Sequence, residues 1–139
     1  MKIAVVYWSS TGNTEAMAQA VAEGARKAGA SAELFTATEF DGGKVDAFDA
    51  IAFGCPAMGA EELEDSEFAP MFESCESKLS GKKIALFGSY GWGDGEWMRT
   101  WEDTCRNAGA SLVCDSVICQ EAPGDDALNA CRSLGESLA

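Results

Sequence analysis

Short apolar runs alternate with helix-forming stretches along the whole chain, and few folds accommodate that rhythm. Ile3–Tyr7 and Ala50–Gly54 are apolar throughout, and Lys83–Gly88 is so after its first residue, as expected of strands covered on both faces. Ala32–Phe35 and Ser111–Cys119 add two more, with a break expected near Asp115. Thr14–Ala28, Glu67–Ser77, Glu96–Ala108 and Asp125–Leu138 read as helices. Gly29 and Gly109 stand where helices stop, and Asp125 or Asp126 is expected to cap the last one. The polar stretch Glu39–Phe48 is expected as a short helix or loop. Five strands alternating with helices predict an α/β fold with a parallel sheet covered on both faces. The 139 residues suit a single domain over 1–139. Ligands in such sheets bind at the carboxyl ends of the strands, so chemistry is sought in the loops after strands one, three, four and five.

The first of these loops is Ser9-Ser10-Thr11-Gly12-Asn13-Thr14. A helix N-terminus offers unpaired backbone N–H groups and about half a positive charge, and so binds phosphate without cationic side chains. Gly12 allows close approach, and the four hydroxyls can donate to phosphate oxygens. The chain contains neither G-x-x-x-x-G-K-[ST] nor G-x-G-x-x-G, which argues against a P-loop nucleotidase and a dinucleotide pyrophosphate.

Composition narrows the partners. With 23 acidic and 10 basic residues the formal charge is −13, which disfavours nucleic acid and anionic membranes and favours a basic protein surface. Six cysteines lack C-x-x-C spacing and no histidine is present, so neither a metal site nor a disulfide framework is expected. No apolar run approaches the roughly 20 residues of a membrane span, and the first residues lack a secretion signal, so a cytoplasmic location is expected.

The loop after strand three, "GCPAMGAEELEDSEF", carries Met58-Gly59 at its tip and then Glu61, Glu62, Glu64, Asp65 and Glu67. The loop after strand four, "GSYGWGDGEWM", sets Trp92 between Gly91 and Gly93, where its own neighbours pack it poorly. A flat ring between Met58 and Trp92, with its phosphate at Ser9–Thr14, points to FMN.

The segments "VYWSSTGNTEAMA", "GCPAMGAEELEDSEFAPMF" and "GKKIALFGSYGWGDGEWM" resemble the short-chain flavodoxins of anaerobes such as clostridia, over essentially the whole chain. The resemblance implies a flavodoxin-like three-layer sandwich with strand order 2-1-3-4-5. It implies that Ser9, Ser10, Thr11, Gly12, Asn13 and Thr14 hold the FMN phosphate. Cys55, Pro56, Ala57, Met58, Gly59, Ala60 and Glu61 would form the inner flavin face, with Glu61 accepting from flavin N3–H. Ser89, Tyr90, Gly91, Trp92 and Gly93 would cover the outer face, with Trp8 near the ring edge. Gln120 stands where the family often has Asn, and Ala60 where Asp, Ser or Asn is common.

The same resemblance implies an electron-transfer protein rather than an enzyme. It would be a low-potential one-electron carrier on tightly bound, non-covalent FMN, working mainly between semiquinone and hydroquinone. The Gly59 carbonyl would be the partner of flavin N5–H. Expected partners are ferredoxin- or flavodoxin-dependent oxidoreductases with basic docking surfaces, met as a monomer through an acidic face that includes Glu61, Glu62, Glu64, Asp65 and Glu67. Alternatives on the same fold are a small FMN-dependent NAD(P)H or quinone reductase and an activator of ribonucleotide reductase. A response-regulator receiver would need acids where Trp8-Ser9 and Cys55-Pro56 stand.

Overall fold

The computed structural model describes residues 1–59 and 61–139; Ala60, one of the residues expected at the flavin, lies outside them. The strands are β1 (Lys2–Tyr7), β2 (Ser31–Thr36), β3 (Ala50–Gly54), β4 (Lys83–Tyr90), β5 (Ser111–Leu112) and β6 (Val117–Gln120). The α-helices are α1 (Asn13–Lys27), α2 (Phe68–Glu76), α3 (Glu96–Asn107) and α4 (Asp125–Leu138). The polar stretch before β3 forms two 3-10 turns, Ala37–Glu39 and Gly42–Ala47.

All strand pairs are parallel, in the order β2-β1-β3-β4-β5, with β6 also paired to β4. The fifth strand does break around Asp115, leaving β5 and β6 as its two halves. Ile84 faces Leu112 and Phe87 faces Val117, so the register slips by two residues between the halves. A slip of two preserves the alternation of faces, where a slip of one would turn every later side chain over.

Strand alternation builds two unlike cores. Ile3 and Val5, with Ala50, Ala52 and Ala85, face α1 and α4. Ala4 and Val6, with Ile51, Phe53, Ile84 and Leu86, face α2 and α3 and an aromatic cluster of Phe68, Phe72, Trp97 and Trp101. The small-residue face lets α1 and α4 meet backbone to backbone. A Cβ on Gly135 would stand 2.0 Å from the Val21 carbonyl oxygen, and one on Gly24 2.0 Å from that of Arg132. Gly135→Ala should therefore destabilise the protein by about 1–2 kcal/mol, the overpacking cost less the gain in helix propensity. Urea unfolding checks this, through a lower midpoint at unchanged slope.

The helix ends hold one correction. Neither Asp125 nor Asp126 caps α4: Gly124 is the N-cap, without a side-chain cap, and the two aspartates occupy the first turn. Their carboxylates there still meet the positive end of the helix dipole. At the other end of α1, Gly29 is left-handed at φ 97 and terminates the helix as expected.

Candidate functional site

The carboxyl ends of β1, β3, β4 and β6 converge on a cavity of about 250 Å3. Ser9, Ser10, Thr11, Asn13 and Thr14 line one side, Pro56, Ala57 and Met58 the second, and Ser89, Tyr90 and Gly91 the third. Eleven of the residues singled out from the sequence are thus brought together.

Gly12 is the N-cap of α1, left-handed at φ 93, and no side chain caps the helix. The first N–H groups of an α-helix have no partner within it, so this end remains a donor set for an anion. Nothing stands within 4 Å of where a Gly12 Cβ would be, which leaves the loop backbone open to close approach. Ser9 Oγ accepts from Gly12 N–H at 3.1 Å, shaping the loop. The hydroxyls of Thr14 and Ser89, 3.2 Å apart and buried, tie α1 to β4 beneath it. Among the described residues, the only charged side chain lining the cavity is Glu121, and no Lys or Arg is there.

The loop after β3 is a tight hairpin. Met58 and Glu62 exchange two backbone hydrogen bonds of 2.8 and 2.9 Å, with Gly59 at φ 49 and Glu61 at φ 57 between them. The Glu61 carboxylate accepts from Glu96 N–H at 3.2 Å, at the start of α3, and presses on Gly93, where a Cβ would be 2.6 Å away. Cys55 is fully buried, its Sγ accepting from Glu64 N–H at 3.4 Å and its carbonyl from Trp97 Nε1 at 3.1 Å. Burial pushes the Cys55 thiol up to about 12, so it stays neutral. Burial likewise pushes Cys105 and Cys131 up to about 12 and Cys75 to about 11. All six cysteines are free thiols.

Glu64 departs from the expected acidic face. It is only 5% exposed, and its carboxylate accepts from the N–H groups of Ser66, Glu67 and Phe68 and from the Ser66 hydroxyl. Burial alone would raise this carboxyl, but those donors at the start of α2 hold it down at about 2. Its charge is consumed inside the protein and belongs to no docking surface. Glu67, in turn, accepts from Trp8 Nε1 at 2.8 Å.

Three other residues sit differently from expectation. Trp92 is 66% exposed at the rim and takes no part in the cavity wall. Trp8 lines a neighbouring cavity of about 330 Å3, on the other side of Ser9 and Ser10, together with Thr36, Thr38 and Glu67. Gln120 is turned to the loop after β4, its Nε2 donating to the Gly91 carbonyl at 3.3 Å. The next residue, Glu121, lines the cavity instead, left-handed at φ 58 with its N–H on the Tyr90 carbonyl at 2.7 Å. Glu is uncommon at positive φ, so nothing in the residue type announces this position. The signal available was its place, directly after the last strand of the sheet.

The sequence model of the flavodoxins matches residues 5–135. The flavodoxin of Megasphaera elsdenii is 44% identical over 137 residues, covering 99% of this chain and 98% of its own. That of Clostridium beijerinckii is 43% identical over 135 residues, 97% of each. Among solved structures, two-electron reduced M. elsdenii flavodoxin superposes with a TM-score of 0.91 at 46% identity, covering 98% of this chain and 97% of the other. A flavodoxin from the domain Archaea reaches a TM-score of 0.87 at 28% identity, covering 100% and 96%. A cavity without Lys or Arg at the first helix, the 2-1-3-4-5 sheet whose strand ends open on it and kinship over nearly the full length agree: the chain belongs to the flavodoxins, FMN-binding proteins that transfer electrons and are not enzymes.

Proposed function

We propose that the chain binds FMN across the cavity at the strand ends and carries single electrons at low potential between soluble redox proteins of the cytoplasm, as one domain and as a monomer. The observation that carries this reading is the cavity itself, with hydroxyls and free N–H groups at the α1 terminus and no cation among its lining residues. Ser9, Ser10, Thr11, Gly12, Asn13 and Thr14 hold the phosphate. Pro56, Ala57 and Met58 bear on one face of the ring; Tyr90, Gly91 and the exposed Trp92 bear on the other and keep water from it. FMN supplies reversible one-electron chemistry at the isoalloxazine ring.

Gly59 acts on the proton at flavin N5. In the FMN-loaded protein its carbonyl would hold the proton at flavin N5, and Gly59, already at φ 49 and without a Cβ, would adapt its backbone to that role at low cost. Gly59→Ala should lower the first one-electron potential by about 20–60 mV, the equivalent of one hydrogen bond of about 0.5–1.5 kcal/mol. A spectroelectrochemical titration measures it, and an unchanged potential removes Gly59 from this role.

Glu62 and Asp65, both exposed, face a basic partner. Among the described residues no helix is long and apolar enough to cross a membrane. The reading as a whole is tested by reconstituting the apoprotein with FMN and reducing it stepwise. A yellow protein with two resolved one-electron steps and no rapid oxidation of NAD(P)H is expected. A colourless protein, or fast NAD(P)H turnover, overturns it.

A further inference from the structure

Trp92 stands between Gly91 and Gly93, and Gly93 is left-handed at φ 89. Backbone that lacks a Cβ on both sides of a residue turns freely, so the direction of this indole is set by whatever holds the feet of its loop. The foot toward α3 is held twice. Arg99 Nη1 donates to the Asp94 carbonyl and Nη2 to the Asp94 carboxylate, each at 3.1 Å. The Glu61 carboxylate accepts from Glu96 N–H at 3.2 Å. The foot toward β4 is held from β6. Glu121 N–H reaches the Tyr90 carbonyl at 2.7 Å, and Gln120 Nε2 reaches the Gly91 carbonyl at 3.3 Å.

Gln120 stands opposite Tyr90 in the last pair of the β4–β6 ladder. Facing a carbonyl, its amide presents the NH2 end, because its oxygen could only meet another acceptor. Two consecutive residues thus fasten two consecutive carbonyls. Glu121 makes its bond from φ 58, a conformation rare for a residue with a Cβ, and such a conformation persists only where the surroundings over-determine it. The Gln120 bond is the last one before Trp92. Its acceptor, Gly91, is at once a wall of the cofactor cavity and the neighbour of the exposed indole.

We propose that Gln120 is a positioning residue for the flavin. It acts through the Gly91 carbonyl, fixing the loop on which Trp92 meets the outer face of the ring, in place of the direct cofactor contact expected from its position after the last strand. The proposal rests on the FMN-binding carrier reading above.

The test compares Gln120→Leu, which loses every polar group, with Gln120→Glu, which keeps length and polarity and loses only the donor. Gln120 is exposed, so both variants should unfold at the wild-type urea midpoint. In 15N-labelled apoprotein the Gly91, Trp92 and Gly93 amides should lose heteronuclear NOE in both variants, and the Ser9–Thr14 amides should keep theirs. Riboflavin, being uncharged, is insensitive to the new carboxylate. It should bind both variants about two- to tenfold more weakly, the loss of one hydrogen bond. Gln120→Asn, with the same donor on a shorter stem, should fall between them and wild type. Inorganic phosphate, which has no ring, should bind Gln120→Leu as it binds wild type. The proposal is overturned by wild-type riboflavin affinity in Gln120→Leu or Gln120→Glu, or by an unchanged NOE across Gly91–Gly93. A weakening that phosphate shares, or a lowered urea midpoint, overturns it too, by making Gln120 a support of the whole fold. A wild-type protein that binds neither FMN nor riboflavin refutes the carrier reading. One that binds both, with affinities the variants leave alone, refutes only the role of Gln120.

Discussion

Thr11→Asp should weaken FMN binding about a hundredfold or more while leaving riboflavin, which lacks the phosphate, nearly unaffected. Thr11 is exposed, lines the cavity and immediately precedes the Gly12 cap of α1. A carboxylate there lies at the positive end of the helix dipole and competes for the N–H groups that a phosphate needs. It also repels. Two like charges about 4 Å apart cost about 1 kcal/mol at water's dielectric and about 4 at an effective value of 20. A phosphate monoester carries nearly two charges, and each 1.4 kcal/mol is tenfold in Kd. The fold itself is not burdened, because aspartate near a helix N-terminus is stabilising, so the apoprotein's urea midpoint should hold or rise. Fluorescence titration of the apoprotein with FMN and with riboflavin measures the effect, and Thr11→Asn serves as the neutral isostere. Equal losses for both ligands would mean that Thr11 shapes the loop and does not help to recognise an anion.

The substitution isolates a contribution that sequence reasoning reached early. Local signals sufficed for the α1 loop, because a short apolar strand, four hydroxyls and a glycine before a helix are contiguous. The glycines on either side of Trp92 likewise foretell its exposure, but not its place outside the cavity wall. Positions set by distant contacts were not legible. The approach of α1 to α4 depends on Gly24 and Gly135, more than a hundred residues apart, meeting backbone on the opposite helix. Glu121 was missed by one position, since left-handed geometry is not written in a glutamate. Strand alternation told which residues are buried, whereas the two-residue slip between β5 and β6 emerges only from pairing with β4.

The acidic run after β3 shows most clearly where composition stops being informative. Five carboxylates within seven residues read as one surface patch, and the fold gives them different work. Glu61 reaches the start of α3 and Glu67 accepts from Trp8. Glu64 is buried in the turn that opens α2, while Glu62 and Asp65 stay exposed. Neutralising all five at once would therefore confound docking with stability. Substituting Glu62 and Asp65 alone tests the surface charge.

Glu64→Gln should cost about 3 kcal/mol at neutral pH, since a carboxyl held near 2 against an ordinary 4.5 favours the folded state whenever it is ionised. The lost hydrogen bonds to the ionised carboxylate account for a similar sum. The amide keeps one acceptor oxygen, but its NH2 group faces donors among Ser66, Glu67 and Phe68. Because the folded-state value is depressed, the contribution is complete above pH 4.5 or so and declines as the pH falls toward 2. The stability difference between wild type and variant should accordingly be largest at pH 7 and shrink through pH 4 and 3, as urea unfolding at each pH would show. A difference constant from pH 7 to pH 3 would mean that the side chain acts through its shape and not its charge. The site should register the same change. Glu64 N–H bonds the Cys55 sulfur and the Cys55 carbonyl accepts from Trp97, so this cap braces the loop that carries Met58 and Gly59. FMN affinity should consequently drop further in Glu64→Gln than in Glu62→Gln, although Glu62 lies nearer the hairpin tip.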